Sequence, residues 1–244
     1  MSSEHYHQGR SMEENTDLHA ILKKELKFDS IDVDGSTLTK GDVFGIKGDT
    51  KTPISVKFAS PKNTQVHLTT LNKFSKLLKM PAEHKAVFEK FLGVNDTAVF
   101  ESWTGYTLDA YEKGHQRIKG SKIEGWAETV DWVNSVKPQL TKMLIQSIGD
   151  EDSVKYLVWI QKKTRVLQIV DVDKLVPWII EKCVWNITPK GTVLKCATPD
   201  GRPILTLQMK GNRLAEGGYN HDPQFQIYPY WPEEFVLHKT VLVE

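Results

Sequence analysis

Apolar residues recur at helical spacing at Leu18, Ile21, Leu22 and Leu26, behind a capping box of Ser11 and Glu14, and predict a first helix over residues 12–27. The pattern then shortens to alternation. Residues 42–47 and 53–60 read as two strands joined through Gly48-Asp49-Thr50-Lys51, with Asp34-Gly35 closing the loop before them. Alternation puts Ser55 and Lys57 on one face of the second strand and Val56 on the other. Helical spacing returns over residues 68–79, with Leu71, Phe74 and Leu78, and over residues 82–92, with Val87, Phe88 and Phe91. Met80-Pro81 divides the two helices and Gly93 is the expected stop. Gly105, Gly114 and Gly120 punctuate an irregular region, after which Trp126, Val130, Val133, Leu140 and Leu144 trace one stripe of a helix bent or restarted near Pro138.

The character changes after Gly149-Asp150-Glu151-Asp152. Segments 154–160, 165–171, 192–196, 203–209, 224–228 and 236–243 are rich in Val, Ile, Leu and Tyr and are separated by Gly, Pro and Asp turns. One helix, near residues 173–182, interrupts them. The expected fold class is α+β, with residues 1–150 forming one part and residues 151–244 a strand-rich second part.

Composition narrows the classes. The 244 residues are 39% hydrophobic and 26% charged, ordinary for a globular chain with a sizeable core. Charged and polar residues interrupt the apolar runs well short of a membrane span, and the first ten residues hold no apolar block of a secretory signal, so a cytoplasmic protein is expected. Cys183 and Cys196 lack C-x-x-C spacing and are expected to be reduced and partly buried. A formal charge of +1 argues against a diffuse basic field, so any polyanion site has to be local.

The candidate chemistry sits on the first strand pair, which brings the carboxylate of Asp42 and the amine of Lys57 to one edge of a sheet. Hydrolysis of a phosphodiester needs a divalent ion, a carboxylate to hold it and a polarised water. Asp42 can hold the ion, the Val56 backbone carbonyl can add an oxygen, and Lys57 can orient the water. A solvated hairpin carrying an Asp and a Lys by chance is the competing reading.

These residues resemble the small type II restriction endonucleases of the PD-(D/E)XK superfamily, in particular the MspI-like enzymes that act as monomers on short palindromes. Asp42 and Lys57 match the motif, and Val56-Lys57-Phe58-Ala59-Ser60-Pro61-Lys62 resembles its V-K-x-x-S-x-K continuation. A second block, Leu205 to Arg213 followed by Gln224-Phe225-Gln226-Ile227 and Pro229, resembles the Q-R-K-G-G-D and L-Q-F-K-I-x-P segments of these enzymes. Ser55 departs from the carboxylate or amide usual two positions before the lysine, Gly41 from the residue usual before the aspartate, and Met209 and Asn212 from the second block.

The resemblance implies a PD-(D/E)XK core, a mixed central sheet flanked by helices, and magnesium-dependent cleavage of duplex DNA at a short palindrome. It implies that Asp42, the Val56 carbonyl and Glu13 of the first helix coordinate Mg2+, with Glu14 one position away. Lys57 would stand beside the attacking water and Ser55 would fix a water at the ion. Lys62 and Asn63 are expected at a flanking phosphate, and Gln208, Lys210, Asn212, Arg213, Gln224 and Gln226 at base edges. A monomer is expected, with a dimer left open. Two rivals remain: a PD-(D/E)XK repair or junction nuclease that cuts by structure, and a DNA-binding module that keeps the scaffold without catalysis. His5 and His7 lie in a polar tail, His84, His115 and His221 lack a companion at ligand spacing, and the tryptophans at 126, 132, 159, 178 and 185 are expected in the core.

Overall fold

The computed structural model describes residues 16–33, 42–59, 62–68, 70–92, 123–146, 153–187, 193–213 and 219–242. Helix α1 (Thr16–Leu26) forms where the first apolar stripe predicted it. The expected capping residues Ser11 and Glu14 lie outside the described residues, as does the expected stop at Gly93. Lys27 ends the helix at φ 57°, and the Phe28 N–H returns to the Lys23 carbonyl at 3.1 Å, a left-handed cap. Strand β1 (Ser30–Val33) follows, then the hairpin of β2 (Val43–Lys47) and β3 (Thr50–Ala59). The hairpin turn holds only Gly48 and Asp49, because Lys47 already faces Thr50, so β3 starts three residues earlier than the sequence reading placed it. Gly48 takes the first turn position at φ +54°, backbone that a side chain would strain.

The chain continues through β4 (Thr64–Leu68), α2 (Leu71–Leu77), α3 (Ala82–Leu92), α4 (Trp126–Ser135) and α5 (Lys137–Ile145). The break between α4 and α5 falls at Val136, one residue before Lys137-Pro138, as the proline predicted. Next come β5 (Tyr156–Gln161), β6 (Val166–Asp171), α6 (Val172–Lys182), β7 (Val184–Ile187), β8 (Leu194–Ala197), β9 (Pro203–Arg213), β10 (Tyr219–Ile227) and β11 (Val236–Val241). The result is a mixed α+β fold with two sheets.

These elements pack as two units built from separated stretches, Met1–Thr64 with Thr141–Glu181 and Pro229–Glu244, and Gln65–Leu140 with Lys182–Tyr228. The sequence reading divides the chain once, near residue 150. The structure groups it differently because β3 pairs in parallel with β5, and parallel neighbours need a long crossover rather than a hairpin. The helical segment is that crossover, so residues on both sides of position 150 share one sheet.

The first unit holds a six-stranded sheet in the order β1-β2-β3-β5-β6-β11, antiparallel except at β3 and β5. Val43, Ile54, Val56, Val158 and Ile169 join Leu18 and Leu22 of α1 in its core. Fully burying each leucine contributes about 1.5–3 kcal/mol, which fixes α1 to this sheet. Phe28 closes over Gly45, where an added Cβ would stand 2.2 Å from the ring. Trp159 meets Trp231 edge-on at 5.6 Å.

The second unit holds a five-stranded sheet in the order β4-β10-β9-β8-β7. Phe225 of β10 packs on Phe74 of α2 at 5.4 Å and on Trp185 of β7 at 6.4 Å, and Phe74 meets Phe88 of α3 at 5.8 Å. The Asn134 side chain serves β7 as a strand would, donating to the Trp185 carbonyl at 3.0 Å and accepting its N–H at 2.9 Å. Cys183 and Cys196 are free, as expected, and fully buried rather than partly so. Trp126, Trp159 and Trp185 are buried, whereas Trp132 and Trp178 are only half-buried. His84 bonds the Thr129 hydroxyl through Nδ1 at 3.0 Å and stacks on Trp132.

Candidate active site

The site begins where β2 stops pairing with β3. Val43 faces Ile54 in the last register position, and the Asp42 N–H donates to the Ile54 carbonyl at 2.9 Å. Asp42 therefore stands one residue beyond the ladder, across from Ser55. Its Oδ2 accepts from the Ser55 hydroxyl at 3.1 Å, the Val56 N–H at 2.6 Å and the Lys57 ammonium at 3.1 Å. One carboxylate oxygen thus takes the Val56 backbone donor and ties down the side chains on either side of it. Hydrogen bonds to a charged acceptor are worth about 1.5–3 kcal/mol each, so the carboxylate is held in direction as well as in place.

Ladder parity decides where the Val56 carbonyl points. The Ile54 carbonyl meets Asp42 on the β2 side, while the Pro53 and Ala59 carbonyls accept from Lys155 N and Lys162 N on the β5 side, at 3.0 and 3.1 Å. Even-numbered residues of β3 thus turn their backbone groups toward β2. Since β2 has ended by then, the Val56 carbonyl faces the edge that Asp42 occupies. Its side chain goes the other way, into the core beneath α1. The Lys57 side chain is only 11% exposed and that of Asp42 28%, so the ion pair is shielded from water more than a surface pair.

Ser55 has a role the sequence did not disclose. It is 5% exposed, and its hydroxyl proton goes to Asp42. The residue orients the carboxylate. Glu13 and Glu14 lie outside the described residues. Lys62 is exposed and Asn63 half-buried, between the end of β3 and the start of β4.

The donor set suits a hard divalent cation. Magnesium takes about six oxygens and keeps several waters, usually binding through one or two carboxylates plus substrate phosphates. Asp42 offers one carboxylate, whose three donors among the described residues all meet Oδ2, and the Val56 carbonyl adds a neutral oxygen on the same edge. No group of three or more His, Cys, Asp or Glu side chains among the described residues could hold a metal ion. Oxygens of water and substrate would complete such a shell.

The remaining candidates lie on the β9–β10 pair of the second unit. Gln208 faces Gln224, Lys210 faces Asp222, Asn212 faces Asn220 and Arg213 faces Tyr219, while Gln226 stands opposite Thr206. Two blocks apart in sequence have become adjacent strands. The sequence reading missed Gln65 of β4, whose Oε1 accepts from Gln224 Nε2 at 2.5 Å. A polar residue in an unrecognised edge strand carries no local signal of such a partner.

No family model matches the chain, and no curated protein matches it. Among solved structures, the chain is similar to the restriction endonuclease MspI in complex with its cognate DNA, at 15% identity and a TM-score of 0.45, over 86% of this chain and 77% of that one. The functional reading therefore rests on the residues and not on that likeness. No described helix is long and apolar enough to cross a membrane.

Proposed function

We propose that the protein is a magnesium-dependent endonuclease that hydrolyses phosphodiester bonds of duplex DNA at a short palindromic sequence. The observation that carries this reading is the end of the β2–β3 ladder, where a shielded carboxylate, a backbone carbonyl and an ammonium group share one strand edge that no described strand pairs with. Asp42 and the Val56 carbonyl would hold the cation, which supplies charge neutralisation at the phosphate and lowers the pKa of water. The Lys57 ammonium, fixed by Asp42, presents donors to an attacking water and to the phosphate oxygens. Water adds to phosphorus and gives up a proton to solvent, the bond to the leaving sugar oxygen breaks, and that oxygen takes up a proton from solvent. Ser55 keeps Asp42 aimed at the edge.

Sequence selection is assigned to the β9–β10 pair, whose two blocks carry the second resemblance to the restriction endonucleases. Amide and basic side chains are the types that read base edges, with Arg or Lys pairing to guanine and Asn or Gln to adenine.

Digestion of a sequenced plasmid in magnesium, with the cut ends mapped, tests the reading. The wild-type protein is expected to give discrete fragments with a common terminal sequence, and Lys57→Ala to give none. Fragments with random ends would favour a nuclease that cuts by structure. Sequence-selective binding without cutting would favour the non-catalytic module, for which Ser55 in place of a carboxylate is the supporting feature. Unchanged cutting by Lys57→Ala would remove the assigned site.

A further inference from the structure

We propose that Gln65 is a specificity-determining residue, held by Gln224 so that its amide donor reads an acceptor edge of a base pair; the inference rests on the duplex-DNA reading above. Gln65 lies in β4, the edge strand beside β10, and both glutamines are half-buried within the second unit. Gln224 Nε2 donates to Gln65 Oε1 at 2.5 Å. That bond turns the acceptor half of the Gln65 amide onto Gln224, so the Nε2 hydrogens are what the side chain can offer elsewhere. Among the described residues, nothing takes them.

The consequence is chemical. A glutamine free to turn presents a donor and an acceptor together, the pattern that matches adenine. A glutamine whose oxygen is turned to its neighbour directs its Nε2 donors the other way, and these fit guanine N7 and O6 or thymine O4. The bond also removes rotamer freedom before DNA arrives, so less is lost on binding.

Position supports the role. Gln65, Gln224 and Gln208 occupy β4, β10 and β9, three neighbouring strands, with Gln208 directly across from Gln224. Strands lie about 4.8 Å apart, so the three backbone positions span roughly 10 Å. The major groove is about 12 Å wide, which three such positions can fill.

The test is selection of bound sequences from a pool of random duplexes, with calcium in place of magnesium, for wild type, Gln65→Met and Gln65→Glu. Glutamate at this position keeps an oxygen for Gln224 and loses the amide donor, whereas methionine loses both. The wild-type protein is expected to enrich a palindrome. Gln65→Met is expected to lose about tenfold discrimination at one base pair of each half-site, with the other positions unchanged. Gln65→Glu is expected to move that position toward cytosine, whose N4 donates. If both variants enrich the wild-type palindrome with the same discrimination, or bind every duplex more weakly by the same factor, Gln65 only ties β4 to β10 and the proposal falls. If the wild-type protein enriches nothing, the duplex-DNA reading itself fails, a result distinct from the failure of Gln65. Should Gln65→Met not fold, the glutamate variant still decides.

Discussion

The two sheets carry their polar candidates by opposite devices. In the six-stranded sheet the candidate chemistry sits where a ladder fails: β2 ends, and Asp42 takes over the edge of β3 with one carboxylate oxygen. In the five-stranded sheet the candidate reading groups sit where a ladder is longest, with β9 and β10 in unbroken register from Arg213 and Tyr219 to Leu205 and Ile227. The difference fits the two proposed tasks. Holding a cation would take backbone and carboxylate oxygens together, which the end of a ladder can expose. Reading a sequence would take side chains at a fixed repeat, which an intact ladder supplies.

The largest expected effect separates the two devices. Asp42→Asn removes the proposed cation's carboxylate and keeps the shape of the side chain, so cleavage should fall on the order of a thousandfold, a loss of about 4 kcal/mol. Sequence selection should be unchanged. Single-turnover cleavage and duplex selection in calcium, run on the same preparation, check both halves. Loss of selection along with cleavage would mean that the two sheets do not divide the labour as described.

The same contrast explains what the sequence disclosed. The Asp42 to Ala59 stretch was legible because a hairpin is a local structure: Val43, Ile54 and Val56 alternate with Ser55 and Lys57, and Gly48-Asp49 supplies the turn. The first helix and the break near Pro138 were legible for the same reason. The short strands β1, β4 and β7 were not, because four or five mixed residues acquire strand geometry only from a neighbour far along the chain. The Gln65–Gln224 bond joins positions 159 residues apart and needs the strand order as well as the pairing. Ser55 was legible as a departure from a pattern, but its bond to Asp42 required the register.

A smaller effect tests whether the open edge depends on what lies behind it. Gly45 allows Phe28 to lie against β2, and the methyl group of Gly45→Ala would meet a ring that is 8% exposed and has core neighbours on its other sides. Overpacking of this kind costs about 1–3 kcal/mol. At roughly 2–4 °C per kcal/mol for a chain of this size, the thermal midpoint of the first unit should fall by several degrees. Cleavage should fall with it, since β2 delivers Asp42 to the edge, while the selected palindrome should not change. A variant with wild-type stability and cleavage would show that Phe28 repacks freely and that the position of β2 is set elsewhere.

The smallest effect decides what Ser55 does. Its hydroxyl gives Asp42 one of three hydrogen bonds, and the Val56 N–H and the Lys57 ammonium remain when it is removed. Ser55→Ala should therefore cost about 1.5 kcal/mol of stability, the low end for a hydrogen bond to a charged acceptor, because the other two donors still meet the carboxylate. The carboxylate would keep its place with a looser aim, so the magnesium concentration for half-maximal cleavage should rise while the saturated rate changes by less than about tenfold. Titration of magnesium against single-turnover rates for wild type, Ser55→Ala and Asp42→Asn separates the two possibilities. A serine that only orients Asp42 gives a curve shifted along the magnesium axis. A serine that itself supports the cation loses rate as Asp42→Asn does, and no concentration of magnesium restores it; that outcome would move Ser55 from a positioning residue to a ligand and put the closing of the strand edge, rather than its opening, at the centre of the site.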